Sequence, residues 1–211
     1  MQQSGWKALF NGKNLQGWHS YGQAEAGGAW QVQEGSLYLN KAAQAHKGLQ
    51  GGDLVTDASF RDFHLTLEWK IARGGNSGLL FYVQEEPAKY EKSWQSGPEI
   101  QLLDNALHAD AMILKRRAGD LYDLFSASKE TAKPASEWNQ LELNCQSGKL
   151  QVYQNGVQTI SLQLWDEKWQ ELVQNSKFKD IPGFGTYRAG RIALQDHGDE
   201  VWFRDIFIQE L

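Results

Sequence analysis

The chain has 211 residues, 41% of them hydrophobic and 12% aromatic, which suffices for one sizeable core and predicts a single domain over residues 1–211. Its 26 acidic and 21 basic residues give a net charge of -5. Because such a surface repels phosphates, it argues against nucleic acid and anionic lipid as partners. The sequence has no stretch near the roughly 20 apolar residues of a membrane span, and its start, MQQSGW, lacks a signal peptide.

Alternation of apolar and polar residues predicts antiparallel strands along most of the chain. In FHLTLEWKI, every second residue from Phe63 to Ile71 is apolar and faces one side. Asn155-Gly156 lies between two alternating runs and predicts a type I′ hairpin turn, because both central residues of that turn need positive φ. In chain order, the predicted strands are AWQVQEGSLYL, FHLTLEWKI, GLLFYVQ, EIQLLD, WNQLELNC, KLQVYQNGVQTISL, RIALQD and VWFRDIFI.

One segment, SLQLWDEKWQELVQNSKF, has a different period. Its apolar residues Leu162, Trp165, Trp169, Leu172 and Val173 recur at three- and four-residue spacing, which predicts one short amphipathic helix. The many short strands, separated by glycines, predict two packed antiparallel sheets in an all-β jelly roll or related sandwich. The single cysteine, in WNQLELNC, is interpreted as a buried strand thiol.

Two polar residues stand on one face of the strand EIQLLD. Glu99 and Gln101 share a side opposite Ile100 and Leu102, so both would project from a sheet whose other face is core. A carboxylate beside an amide suits a hydroxyl-rich ligand, and the carboxylate can also move a proton. A merely solvated face explains the same pattern equally well.

The segment RGGNSGLLFYV sets Asn76 among glycines just before an apolar strand. Glycines let the backbone approach a ligand closely, and an asparagine there can donate to a hydroxyl or carbonyl oxygen. The alternative is a plain turn in which Asn76 and Ser77 bond their own backbone.

The strand RIALQD runs into a polar cluster, Gln195, Asp196 and His197. If the alternation continues, Gln195 and His197 leave the core together. Imidazole exchanges protons near neutral pH, and a neighbouring carboxylate can fix its tautomer. The alternative is a structural histidine. In the last strand, Arg204 either pairs with Asp196 or Asp205 or orients an oxygen in the site.

Together these segments resemble a known family. GWKALFNGKNLQGWHSYG, NSGLLFYV, EIQLLDN, LYDLF, EWNQLEL, the NG turn, NSKF and GRIALQDHGDEVWFRDIFI follow, in order, the pattern of the 3-keto-disaccharide hydrolase domain, formerly a domain of unknown function. The resemblance implies a concanavalin-like jelly roll of bacterial origin that is periplasmic or secreted and cleaves 3-keto-glycosides. The polar residues of the matching motifs are Asn76, Glu99, Gln101, Asp104, Asn105, Tyr122, Lys177, Gln195, His197 and Arg204.

A 3-keto-glycoside offers a particular route to bond cleavage. The ketone acidifies the proton on C2, so a base can form an enolate that expels the C1 oxygen by β-elimination, with or without later hydration. The expected catalytic residues are His197, Glu99 and Tyr122. Either His197 or Glu99 would be the base, with Asp196 orienting His197, and either Tyr122 or Glu99 would be the acid.

The same reaction needs donors that hold the developing charge on O3. The candidates are Gln101, Asn76, Lys177 and Arg204. A bound divalent cation is the alternative to these donors, with Glu99, Asp104 and His197 as its expected ligands, and the metal-free interpretation ranks above it. The other residues expected to contact a carbohydrate substrate are Asp104, Asn105, Gln195 and Asp196.

Two other functional classes stay open at this stage. A non-catalytic carbohydrate-binding module would use the amides and some of the nine tryptophans to hold a glycan without turnover. A conventional glycosidase would need a pair of carboxylates, such as Glu99 with Asp104, and would cleave unoxidised glycosides. The sequence leaves sugar specificity and oligomeric state undetermined.

Overall fold

The computed structural model describes residues 5–211. Within that range, short strands dominate and two short α-helices interrupt them. In chain order the elements are β1 (Trp6–Ala8), β2 (Trp18–Ser20), β3 (Trp30–Gln33), β4 (Ser36–Leu39), α1 (Lys41–Lys47), β5 (Leu54–Thr56), β6 (Phe63–Ile71), β7 (Asn76–Val83), β8 (Glu99–Leu103), β9 (Asn139–Gln146), β10 (Lys149–Gln154), β11 (Val157–Gln163), α2 (Glu167–Gln174), β12 (Arg191–Leu194) and β13 (Val201–Glu210).

The strands form two antiparallel sheets, which confirms the predicted two-sheet sandwich. One sheet has eight strands in the order β11-β10-β9-β6-β13-β4-β3, with β1 also paired to β13. The other has five strands in the order β2-β5-β12-β7-β8. The three-residue strands β1, β2 and β5 are absent from the sequence prediction because three residues are too few to show alternation. No helix of the described residues is long and apolar enough to cross a membrane.

The core lies between the two sheets and follows the predicted alternation. The burial of β6 alternates along its whole length, with Phe63 and Ile71 at its two buried ends. On the five-stranded sheet, Leu79, Ile100 and Leu194 belong to the main core cluster. Their strand neighbours point the other way, so the outer face of this sheet is available for other side chains. The thiol of the single cysteine is buried in β9, as predicted.

The helices differ from the sequence prediction in number and position. Helix α2 begins only at Glu167, because Leu162 belongs to β11 and Asp166 caps the helix by accepting from the backbone N–H of Trp169. Helix α1 was not predicted. It is short and buries only Ala43 among its residues, so its sequence carries no amphipathic period. The prediction of a single helix is therefore wrong.

The hairpin turn between β10 and β11 is the one predicted from Asn155-Gly156. Both residues have positive φ, 51° and 78° respectively, as a type I′ turn requires. Gly156→Val should lower the free energy of unfolding by about 1–2 kcal/mol, because a side chain with a branched β-carbon resists this conformation. Denaturant unfolding measures the change. Gly156→Asn is the matched control, since asparagine tolerates positive φ, and equal losses in the two variants would contradict the prediction.

Candidate active site

Strand register brings the polar residues of β7 and β8 onto one surface. Residue Gly78 lies opposite Gln101 and Leu80 opposite Glu99 in the antiparallel pair. Next to β7, Ala193 of β12 also lies opposite Leu80, so these positions share the outer face of the five-stranded sheet. Both Glu99 and Gln101 therefore project away from the main core, as the alternation predicted.

This outer face carries a cavity of about 220 Å³, hereafter the Glu99 cavity. It joins residues from β7 and β8 with residues beyond the end of β12, nearly a hundred positions later in the chain. The Nε2 of Gln195 lies 3.4 Å from Oε2 of Glu99. Predicted and unpredicted residues together line the cavity: Asn76, Trp94, Glu99, Gln101, Tyr122, Lys177, Phe178, Gln195 and His197.

Glu99 is the electrostatic centre of the cavity. Only 6% of its surface is exposed. Burial raises the pKa of Glu99 to about 8, and the Lys177 ammonium and the Gln195 amide offset this only in part. At neutral pH the carboxyl is largely protonated, yet it can lose its proton within the physiological range. Such a group can act as a general acid or a general base.

Gly78 has no side chain, and the carboxyl of Glu99 occupies the space beside it. A Cβ at position 78 would come within 2.2 Å of Oε1 of Glu99. Real Cβ atoms do not approach an oxygen so closely, so glycine is required for the present position of the carboxyl. The sequence leaves these glycines open to close approach by a ligand or to a plain turn, and at Gly78 the close neighbour is a side chain of the site itself.

An aromatic wall lies along one side of Lys177, which is otherwise open to solvent. The Nζ of Lys177 lies 4.1 Å from the ring centroid of Tyr122, 5.1 Å from that of Phe178 and 5.5 Å from that of Trp94. Desolvation by this wall lowers the pKa of Lys177, and the Glu99 carboxyl opposes the shift. The three rings thus hold the Lys177 ammonium by cation–π contacts beside the buried carboxyl of Glu99.

Two amide oxygens of the cavity lining, Oδ1 of Asn76 and Oε1 of Gln101, lie buried with no protein partner among the described residues. A buried acceptor without a hydrogen bond costs roughly 1–3 kcal/mol. Since both residues line the Glu99 cavity, a ligand with hydroxyl donors would satisfy them. The cavity is therefore suited to a polyhydroxylated molecule.

Tyr122 has a protein partner for its hydroxyl. It donates to Oδ2 of Asp110 at 3.1 Å. Burial and the nearby Asp110 carboxylate raise the pKa of Tyr122, so the phenol keeps its proton. The hydroxyl is thus held by Asp110, while the ring of Tyr122 supports Lys177.

His197 lies at the exposed edge of the cavity, on the same side as Gln195, as predicted. Its ring meets the ring of His108 edge to face, with centroids 6.2 Å apart. Asp196 does not serve the predicted role of orienting His197. Its carboxylate accepts instead from the amide of Gln44 and from the backbone N–H groups of Gly52 and Gly198. It therefore fixes the turn that carries the imidazole.

Three other predicted site residues lie outside the cavity lining, each held by a structural partner. The Asp104 carboxylate accepts from the backbone N–H groups of Gly74 and Ala106, and so caps a turn. Asn105 bonds Glu130 and the backbone of Ala118. Arg204 projects from the eight-stranded sheet and pairs with Glu68, 2.7 Å away, and with Asp205, 3.7 Å away, so the structural pairing with Asp205 that the sequence offered as an alternative is confirmed.

These placements bear on two expectations from the sequence. Asp104 does not join Glu99 at the cavity, so the predicted carboxylate pair is not formed there. Among residues 5–211, no group of three or more His, Cys, Asp or Glu side chains is arranged to hold a metal ion. The predicted set of Glu99, Asp104 and His197 is therefore not assembled.

Sequence analysis missed two aromatic members of the lining, Trp94 and Phe178. Phe178 follows Lys177 in NSKF, so its position in that motif was the available signal. Trp94 lies in a short 3-10 turn, Ser93–Gln95, outside any predicted element. The local sequence around Trp94 does not indicate a site, because Trp94 reaches the cavity only when its loop folds over the sheet.

An antiparallel sandwich with a polar cavity on one sheet places the chain among the galectin-like jelly rolls. A Bacillus subtilis protein of unknown function with a galectin-like fold is similar at a TM-score of 0.58 and 13% identity, over 97% of this chain and 94% of that one. This likeness concerns the fold alone. The chain belongs to the family of the 3-keto-alpha-glucoside-1,2-lyase-like domain, whose model matches residues 5–209.

Two relatives are similar over nearly the whole chain. A protein of Bacteroides thetaiotaomicron named 3-keto-disaccharide hydrolase is 35% identical, over 98% of this chain and 79% of that protein. A crystal structure from Parabacteroides distasonis, described as a candidate glycosyl hydrolase, has a TM-score of 0.86 and 28% identity, over 98% of this chain and 94% of the other. The resemblance identified from the sequence motifs is confirmed.

Proposed function

We propose that this protein cleaves the glycosidic bond of 3-keto-disaccharides and related 3-keto-glycosides by β-elimination. One observation carries the proposal: a buried carboxyl, Glu99, has a pKa near 8 and shares a cavity with a cation and two unpartnered amide oxygens. A carbon acid next to a ketone needs a base of raised basicity and a positive environment for the enolate oxygen. Family membership supports the choice of sugar.

The oxidised ring would lie at the cavity floor, where the unpartnered amide oxygens of Asn76 and Gln101 accept from its hydroxyls. The Glu99 carboxylate takes the proton from C2, and the electron pair moves into the C2–C3 bond as O3 becomes an enolate oxygen. The Lys177 ammonium and the NH₂ groups of the same amides are the available donors for O3. Pre-formed donors of this kind act without reorganising during the reaction.

Bond cleavage completes the elimination. The enolate re-forms the C3 ketone, a C1–C2 double bond forms, and the C1–O bond breaks. His197, at the exposed edge of the cavity, donates a proton to the departing oxygen, because the leaving sugar extends toward solvent. Addition of water across the double bond, with hydroxyl to C1 and hydrogen to C2, would make the net reaction a hydrolysis.

The test is a paired incubation with a 3-keto-disaccharide and its unoxidised parent, each with and without chelator. Enone absorbance and released sugar are followed together. We expect release from the keto substrate alone, at a rate the chelator does not change. Cleavage of the parent would favour a conventional glycosidase, and tight binding of the parent without turnover of the keto form would favour a carbohydrate-binding module. Either result would overturn the proposal.

Gly78→Ala tests whether the position of Glu99 matters for turnover. The added methyl group would meet Oε1 of Glu99 at 2.2 Å and displace the carboxyl into the cavity. We expect kcat/KM for the 3-keto-disaccharide to fall at least tenfold, about 1.4 kcal/mol of transition-state stabilisation. Gly28→Ala is the matched control, because its methyl group meets only the side chain of Leu49, at 3.3 Å. Equal activity of the two variants would contradict the assignment.

A further inference from the structure

A second, larger concavity lies outside the Glu99 cavity. It has a volume of about 520 Å³ and runs between helix α2 and the segment 179–186. We call it the α2 groove. Volumes of 300–1,000 Å³ are typical of small-molecule sites. Neither the proposed reaction nor the family motifs use this groove.

The floor of the groove is apolar and firmly supported. Val173, Ile181 and Pro182 line it. Beneath them the indole of Trp169 is buried, and its Nε1 donates to the carbonyl oxygen of Gly185 at 2.9 Å. Because the indole is covered and its N–H is already satisfied, the accessible floor is aliphatic surface without competing donors. Such a surface fits the C–H face of a sugar ring.

The rim of the groove is polar. Gln170 and Gln174 are four residues apart and lie on one face of α2, where both amides are exposed. Asp180 faces the groove from the opposite segment and is also exposed. An amide both donates and accepts, which matches the mixed demands of neighbouring hydroxyl groups. A polar rim over an apolar floor is the arrangement that a neutral pyranose needs.

The groove and the Glu99 cavity share a wall. Phe184 of the groove stacks on Phe178 of the cavity, with ring centroids 4.0 Å apart and planes 8° from parallel. One continuous segment, 177–186, therefore contributes to both. A ligand in the groove would pack behind the aromatic wall that holds Lys177.

We propose that the α2 groove is a second carbohydrate site, which binds a neutral pyranose. That pyranose is either a more distant sugar unit of the same substrate or a unit of a separate glycan. The site does not depend on the proposed elimination, because it recognises an unoxidised sugar ring by its hydroxyls and its C–H face.

The first experiment measures binding without turnover. Glucose, cellotriose and maltotriose are titrated into the Glu99→Gln protein while the Trp169 indole resonance is followed by NMR. We expect saturable shifts with at least one of these sugars and at least tenfold weaker binding in the Gln170→Ala/Gln174→Ala variant. The matched control, Lys168→Ala/Glu171→Ala, changes other exposed positions of α2 and should bind normally.

Three results of the titration would each overturn the proposal: no saturable binding of any of the three sugars, equal loss in the control variant, or shifts confined to the Glu99 cavity. Sedimentation of a dimer that the glutamine variant converts to monomer would assign the groove to a second copy of the chain, and would also overturn it. If the protein turns over 3-keto substrates, a comparison of KM values identifies the source of the pyranose. A raised KM for a 3-keto-trisaccharide but not for a 3-keto-disaccharide identifies a distant unit of the substrate, whereas unchanged KM for both identifies a separate glycan.

Discussion

Glu99→Gln is expected to lower kcat for the 3-keto-disaccharide by about 10³, because general-base catalysis contributes 10²–10⁴ in rate and a neutral amide cannot remove the C2 proton. The substitution preserves shape and hydrogen-bonding reach, so the cavity and its contact with Gln195 should persist. Single-turnover measurement of enone formation separates this chemical step from product release. The effect should fall on kcat more than on binding of the unoxidised parent sugar.

The pH dependence of the rate shows whether Glu99 acts as a base or as an acid. A base acts in its ionised form, so kcat/KM should rise as pH increases through about 8, the pKa of this carboxyl in the free protein. The matched control is Glu142→Gln, which removes a carboxylate from the eight-stranded sheet. Activity of Glu99→Gln within tenfold of wild type would refute the assignment. A rate that falls as pH passes 8 would instead make Glu99 the acid.

The sequence predicted much of the scaffold because alternation is a local signal. The apolar face of β6, the Asn155-Gly156 turn and the shared side of Glu99 and Gln101 all depend on neighbours within a few residues. The convergence of Glu99 with Gln195 was also predicted, but the family motifs were needed for it. Glu99 and Gln195 are 96 positions apart, and the local sequence around each residue does not indicate that their side chains are neighbours.

The missed features depend on distant partners. Of the two roles that the sequence leaves open for Arg204, the structure has the pairing with Asp205 and not the site role, because β13 pairs with β6 and sets Arg204 opposite Glu68. Asp196 is the predicted partner of His197, yet its carboxylate accepts from the backbone N–H of Gly52, just before β5. Such contacts decide whether a polar side chain has a functional or a structural role. Strand register, rather than local sequence, determines the contacts.

The function proposed for Glu99 also has a cost in stability that can be measured. In the folded protein its pKa is about 8, against an ordinary value of 4.5. Between those two values the folded state holds a proton that the unfolded chain has released, so stability falls as pH rises across the window. With about 1.4 kcal/mol for each pH unit, the loss attributable to Glu99 is on the order of 4 kcal/mol by pH 9.

Glu99→Gln should abolish this loss, because the amide does not titrate. Relative to wild type, the variant should therefore gain on the order of 4 kcal/mol in unfolding free energy between pH 4.5 and pH 9. Urea unfolding at several pH values measures the difference, and subtraction removes the contributions of other buried acids such as Asp53. If the Glu99→Gln difference is flat across this range, the carboxyl is not held protonated by burial, and the base assigned to the reaction loses its raised basicity.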